Sequence, residues 1–490
     1  MRVIPLPEPP TCEHTNPSLR ASTTTIKEED GNAMTIERRP KQPRKHAASS
    51  RTDAARATPL TAHPVPPRLG PDIGMPKALR SPRPDRATRA FLRMLNLVQP
   101  LIPQKLVPLK AQREIIRLSA LAYGDRPDMA EVAERTIAGP GGQIALRIFT
   151  PKRESKPRPA FLWCHGGGFV TGGLDTAESI CRQVALEADC IAIAVRYRLA
   201  PEHDLVASRE DFMAALRWVA EHGASIGVDT ARLAIGGDSA GGNISAAVAQ
   251  ACQSHDGPHV SLQVLAYPVT DLLHEFPSHA ENAKGGYLLD EKVTGWIKSL
   301  LGESASEGLS DPKLSPRRNP DLRGLPPALV ITAGFDPLRD DGLDYVARLR
   351  TAGIPVELLH YAGQIHGFLN FDTVIGAGRD ALERVATALA TTFGSTALTD
   401  RTLEITDPPG PPPPLVHHLV AECASTALLL WISSERWGHT LLNLAAPRAA
   451  RSVGRLAGWT LGPALGLRRL AMSRLDRRHV RQTHPSRPIA

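Results

Sequence analysis

The sequence predicts an α/β chain built on a mainly parallel sheet with helices on both faces. Three observations carry this. Short apolar, β-branched-rich runs alternate with helix-like segments from about residue 131 to 393. Most of these runs are apolar at successive positions, as strands covered on both faces require. Finally, Ser239 stands among four glycines between such a run and an alanine-rich segment, in "RLAIGGDSAGGNISAAVAQAC".

In chain order, residues 1–86 are rich in Pro, Arg, Ser and Thr and lack apolar periodicity, so a disordered tail is expected. Met34, Met75 and Met94 leave a later start open. The opening residues hold no apolar signal core, and "KEED" at 27–30 does not fit an Arg-rich transit peptide. The expected compartment is the cytoplasm. From Ala87 apolar residues recur at helical spacing, broken at Pro100 and Pro103, which predicts two or three helices over about 88–122. Strands are predicted at 143–149, 160–164, 190–197, 232–237, 261–267, 328–334 and 355–361. The longer, more polar segment 272–315 reads as an insertion over the sheet's edge. "DPPGPPPP" at 407–414 marks a stiff linker. The expected division is a main domain over 87–400, a linker over 401–414 and a basic, helical segment over 415–490.

Charge is unevenly placed. The chain carries a net +8, but residues 1–90 hold 16 Lys/Arg against 9 Asp/Glu and residues 415–490 hold 11 against 3. The basicity thus lies in two tails around an acidic centre and says nothing of the central chemistry. No nucleic-acid motif accompanies it, so no nucleic-acid partner is expected. Six scattered cysteines without a CxxC pair give no metal site and no disulfide framework. In the C-terminal segment the longest apolar stretch, "TALLLWI", is too short to span a bilayer. Trp431, Trp437 and Trp459 beside arginines suit a helix lying in a membrane interface. The competing reading is a helical appendage docked on the core or on a second subunit, which leaves room for a homodimer.

Gly237-Asp238-Ser239-Ala240-Gly241 fits G-x-S-x-G between a strand and a helix, where a sharp turn would hold the serine hydroxyl above the sheet. Glycines two residues to either side let neighbouring backbone pass close. "CHGGGF" (164–169) also follows a strand, and its three glycines let backbone N–H groups approach a substrate oxygen. A serine hydroxyl needs a base to take its proton and an acid to fix the base's tautomer. Asp336 follows the strand at 328–334 and His366 follows the strand at 355–361, both at C-terminal strand ends where open α/β sheets build their sites. Asp340, Asp341 and Asp344 are rival acids placed in the next helix, and His360 is a rival base within a strand.

Taken together, "HGGGF", "YRLAPE" (197–202), "GDSAGGN" (237–243), "DPLRDDG" (336–342) and "HGF" (366–368) occur in order, with 97 residues from Ser239 to Asp336 and 30 from Asp336 to His366. In these motifs the chain from about Phe91 to Phe393 resembles the hormone-sensitive-lipase-like family of α/β-hydrolase esterases. The resemblance implies the α/β-hydrolase fold, with the helices near 88–122 as a cap that walls the acyl pocket, helped by the segment around Tyr287. It implies Ser239 as nucleophile, His366 as general base and acid, and Asp336 as the orienting carboxylate. It also implies an oxyanion hole from the N–H groups of Gly167, Gly168 and Ala240, with His165 organising the loop. No cofactor or metal is implied. The expected reaction is hydrolysis of short- to medium-chain carboxylic esters. A lipase acting on longer acyl chains at a membrane surface, and a non-catalytic small-molecule receptor on the same fold, are the alternatives. The chain departs from the family after "YRLAPEH", where it reads "DLVASRED", and at Gln364 and Cys164.

Overall fold

The computed structural model describes residues 74–98, 107–152, 156–254, 257–302, 308–408, 415–445 and 478–487. Within these, ten strands form one sheet: β1 (Glu131–Gly139), β2 (Gly142–Thr150), β3 (Arg158–Cys164), β4 (Ile191–Arg196), β5 (Val228–Asp238), β6 (Leu262–Ala266), β7 (Ala328–Phe335), β8 (Val356–Ile365), β9 (Asp400–Thr406) and β10 (His479–Arg487). Their spatial order is β1-β2-β4-β3-β5-β6-β7-β8-β9-β10. Pairing is parallel from β4 through β9 and antiparallel at both margins.

The strand β3 shows why the apolar runs carry no alternation. All seven of its residues are buried. Phe161 and Trp163 enter one core cluster with α3 (Leu174–Glu187) and α9 (Gly376–Phe393), while Ala160, Leu162 and Cys164 enter another with α4 (Leu205–His222) and α5 (Ala240–Ser254). Successive side chains point to opposite faces, and both faces are covered. A third cluster places α8 (Arg339–Thr351) against β6, β7 and β8.

The cap helices are α1 (Arg86–Val98) and α2 (Leu109–Tyr123); the break at Pro100 and Pro103 lies outside the described residues. Between β6 and β7, α6 (Pro277–Asn282) and α7 (Glu291–Leu301) occupy the segment expected over the sheet's edge. That expectation is corrected. The two strands are central, and Ile297 of α7 stands so close to Gly168 that a Cβ there would lie 2.6 Å from it. The insertion covers the C-terminal ends of the strands.

Three domain boundaries also shift. The tail expected to end at 86 is ordered backbone from Gly74. Ser81 and Asp85 donate their N–H groups to Ala362 and Gly363 carbonyls (both 2.9 Å), and Glu404 accepts from the N–H groups of Lys77 and Ala78. Residues 400–406 are not linker but β9, which pairs with β8 and buries Leu403 and Ile405. The C-terminal segment is not wholly helical, since β10 pairs with β9. Its helix α10 (Leu415–Ala445) is docked on the cap. Leu429 and Ile432 are fully buried, Glu422 pairs with Arg89 and Arg93, and Arg436 donates to the Ala122 carbonyl at 3.0 Å. Trp437 is packed against the core, whereas Trp431 is exposed. Residues 1–73, 409–414 and 446–477, with Trp459, lie outside the described residues. Among the described residues no helix is long and apolar enough to cross a membrane.

Docking of α10 makes a stability prediction. Leu429→Ala removes a fully buried side chain and should cost about 2–5 kcal/mol. Urea unfolding measures this, and an unchanged midpoint would place α10 outside the cooperative unit.

Candidate active site

Ser239 sits between β5 and α5 at φ 55°, a left-handed conformation that costs a non-glycine residue energy and must be held by its surroundings. Its own N–H donates to the Ala266 carbonyl at 2.8 Å, and its carbonyl accepts from Asn243 at 3.1 Å. The flanking glycines make the turn possible. A Cβ on Gly241 would lie 2.0 Å from the Cys164 carbonyl oxygen, and one on Gly237 would lie 2.4 Å from the Gly241 carbonyl carbon. The end of β3, the turn and the start of α5 are therefore packed backbone to backbone, with Ser239 itself half-buried.

Three predicted side chains meet here. His366 Nε2 lies 2.9 Å from Ser239 Oγ, and His366 Nδ1 lies 2.8 Å from Asp336 Oδ2. The carboxylate can only accept, so Nδ1 carries the proton and Nε2 is left to accept from the serine hydroxyl. Asp336 is fully buried; its second oxygen accepts from the Leu338 N–H at 2.8 Å, and its carbonyl accepts from Asn282 at 3.1 Å. The edge of the Tyr267 ring packs on His366, centroids 4.8 Å apart.

The rivals are engaged elsewhere. His360 is fully buried between Thr332 Oγ1 (2.8 Å) and the Leu79 carbonyl (3.0 Å), and burial pushes it down to about 4. Asp340 bonds Ser278 and Arg339, Asp341 bonds Thr270, and Asp344 pairs with Arg317.

The glycine loop is fixed from below. Asp238 Oδ1 accepts from the Gly166 N–H at 2.8 Å, and burial raises the Asp238 carboxyl. Tyr197 OH donates to the His165 carbonyl at 2.8 Å, and its ring stacks on the His165 ring at 4.2 Å. Burial pushes His165 down to about 4, so it stays neutral and donates through Nδ1 to the Gly166 carbonyl at 2.9 Å. From α2, Arg113 donates to the Val170 carbonyl at 2.8 Å and the Ala200 carbonyl at 2.9 Å. Among the described residues the N–H groups of Gly167, Gly168 and Ala240 donate to no protein acceptor. Free donors on the loop and at the helix start can receive negative charge. Among the described residues no cluster of His, Cys, Asp and Glu could hold a metal ion.

Sequence reasoning missed a second set of side chains. Gln364, two residues before His366, donates to Asp85 at 2.7 Å and accepts from Thr88 of α1 at 2.7 Å. Asp85 also accepts from the Asp407 N–H at 3.1 Å, just after β9. The base loop, the cap and the chain beyond β9 thus share one buried polar junction. The available signal was Gln364 itself, which departs from the family's pattern just before the base loop.

Residues 161–370 match a protein family described as alpha/beta hydrolase fold. Esterase LipI of Mycobacterium tuberculosis is 42% identical over 260 residues, which span 53% of this chain and 81% of that protein. An ethyl acetate hydrolase of Pseudomonas putida is 33% identical over 285 residues, 57% of this chain and 89% of that protein. Among solved structures, the ester hydrolase EH1AB1 from the metagenome of Lake Arreo, complexed with a derivative of bipyridine phosphonate, superposes with a TM-score of 0.61 at 37% identity. That match covers 64% of this chain and 99% of the other.

The junction titrates. Burial, then the Asp407 charge, raise Asp85 to about 7, while Gln364 and Arg478 act the other way, and Arg86 and Arg89 face Asp407. A raised carboxyl favours the folded state while protonated, so its contribution is complete below about pH 4 and is lost as pH rises through 7. Asp85→Asn should remove this slope, which is at most about 1.4 kcal/mol per pH unit. Denaturation of both proteins from pH 4 to 8 measures it; parallel stability curves would contradict the assignment.

Proposed function

Because this chain belongs to the hormone-sensitive-lipase-like family of α/β-hydrolase esterases and is a carboxylic-ester hydrolase, we propose that it cleaves short- to medium-chain esters through an acyl-enzyme formed on Ser239. The observation that carries this reading is the unbroken hydrogen-bond chain from Ser239 through His366 to Asp336.

In this reading Ser239 Oγ attacks the ester carbonyl carbon while His366 Nε2 takes its proton. The imidazolium is stabilised by Asp336 through Nδ1. Charge developing on the carbonyl oxygen is received by the N–H groups of Gly167, Gly168 and Ala240, each such donor contributing about 3–4 kcal/mol. His366 then protonates the departing alcohol. Water, activated by the same nitrogen, releases the acid and regenerates the serine. His165 keeps the loop in shape and takes no proton, in accord with its depressed basicity.

The relative named for ethyl acetate supports a short acyl chain. A non-catalytic receptor would have no use for an imidazole held against the serine, so its presence favours the enzyme. For residues 415–445, the docking of α10 on α1 and α2 supports a built-in part of the cap and not a helix lying free on a membrane.

Ser239→Ala should lower hydrolysis of p-nitrophenyl acetate by at least about a thousandfold, since loss of a triad member costs orders of magnitude. Residual turnover within tenfold of the parent would contradict the nucleophile. Across p-nitrophenyl acetate, butyrate, octanoate and palmitate, kcat/KM should peak at or before octanoate; a peak at palmitate would favour the lipase alternative.

A further inference from the structure

Arg209 lies in the first turns of α4, where the chain leaves its family's pattern after "YRLAPEH", and is 6% exposed. Its guanidinium donates only to neutral acceptors. Nε bonds the Lys313 carbonyl at 2.9 Å, Nη1 bonds the Leu205 carbonyl and Ser208 Oγ (3.1 Å), and Nη2 bonds Asn243 Oδ1. Among the described residues no carboxylate lies within ion-pairing distance of it. Among the described residues the other three buried arginines do have one: Arg158 pairs with Asp189, Arg317 with Asp344 and Asp271, and Arg339 with Asp340 and Glu281. A cation out of water is costly, and here Asp204 offsets part of that cost only from beyond ion-pairing distance.

Its neighbours belong to the reaction centre's frame. The guanidinium carbon stands 5.1 Å from the ring centre of Phe169, which directly follows the glycine loop and is itself held at φ 66°. Asn243, which it grips, donates to the Ser239 carbonyl at 3.1 Å and also bonds the Val269 (2.8 Å) and Leu314 (2.9 Å) carbonyls. The charge thus touches both structures that carry the free N–H donors. Even with burial lowering it to about 10, Arg209 remains cationic at neutral pH.

We propose that Arg209 is a positioning residue for ester hydrolysis: a positive charge, held directly by neutral groups alone, behind the glycine loop and the serine turn that fixes both and favours the negative charge developing on the substrate oxygen. The proposal rests on the acyl-enzyme reading above. A fixed charge in a water-poor setting needs no reorganisation as the oxyanion forms, which is why it acts on the transition state and not on the bound ester.

The test compares Arg209→Met and Arg209→Gln, which remove the charge, with Arg209→Lys, which keeps it. For p-nitrophenyl acetate both neutral variants should lose about 10- to 100-fold in kcat with KM changed less than about threefold. Arg209→Lys should recover most of the loss. A trifluoromethyl ketone, which forms a charged tetrahedral adduct on the serine, should weaken in the neutral variants by the same factor as kcat/KM. A non-reactive ketone of the same shape should bind unchanged. Should the methionine variant not fold, the glutamine variant carries the comparison. Neutral variants with kcat within twofold of the parent, or a lysine variant as impaired as the neutral ones, would overturn the proposal and leave the acyl-enzyme reading intact. Undiminished turnover by Ser239→Ala would sink both.

Discussion

The hydrogen bond between Ser239 Oγ and His366 Nε2 at 2.9 Å is the contact on which the chemistry depends. Its two residues are 127 positions apart in sequence and follow strands that are not neighbours, since β6 and β7 lie between β5 and β8. Parallel pairing solves the problem. Strands running the same way deliver Ser239, Asp336 and His366 to one end of the sheet, where short turns aim their side chains at each other. An antiparallel sheet would send alternate strand ends to opposite sides.

Around that contact the backbone is packed too tightly for side chains. The glycines at 237 and 241 let the serine turn press on the end of β3, and the Asp238 carboxylate reaches back to hold the loop beneath the free N–H donors. The nucleophile and the oxyanion donors are thus not independent features: one buried carboxylate and one close backbone contact join them. On the other side, Gln364 ties the base loop to Asp85 and Thr88. The cap, the strap from Gly74 to Asp85 and the helix α10 behind it therefore bear on the position of the imidazole through a short run of buried bonds.

Much of this was legible in the sequence, for a physical reason. The strands β3, β6, β7 and β8 and the second half of β5 are buried throughout, which is why they stand out as mainly apolar runs, and Ser239, Asp336 and His366 each follow one. The strand β1 was not legible because most of its residues are exposed. The strand β9 was hidden by its short "DRTLEIT" pattern next to a proline run, and β10 by its basic composition. The strap at 74–85 binds through backbone groups, which leave no mark on side-chain periodicity. Likewise Asp238, Asn282, Gln364 and Arg209 matter for what lies beside them in space, and their neighbours in sequence do not announce it.

A crystal structure of the protein inactivated by an alkyl phosphonate ester tests the central claim most directly, because the adduct freezes the geometry of the attacked carbonyl. The account predicts phosphorus bonded to Ser239 Oγ, with the phosphoryl oxygen about 2.7–3.1 Å from the N–H groups of Gly167, Gly168 and Ala240. An adduct on another residue, or a phosphoryl oxygen turned away from those three groups, would contradict it.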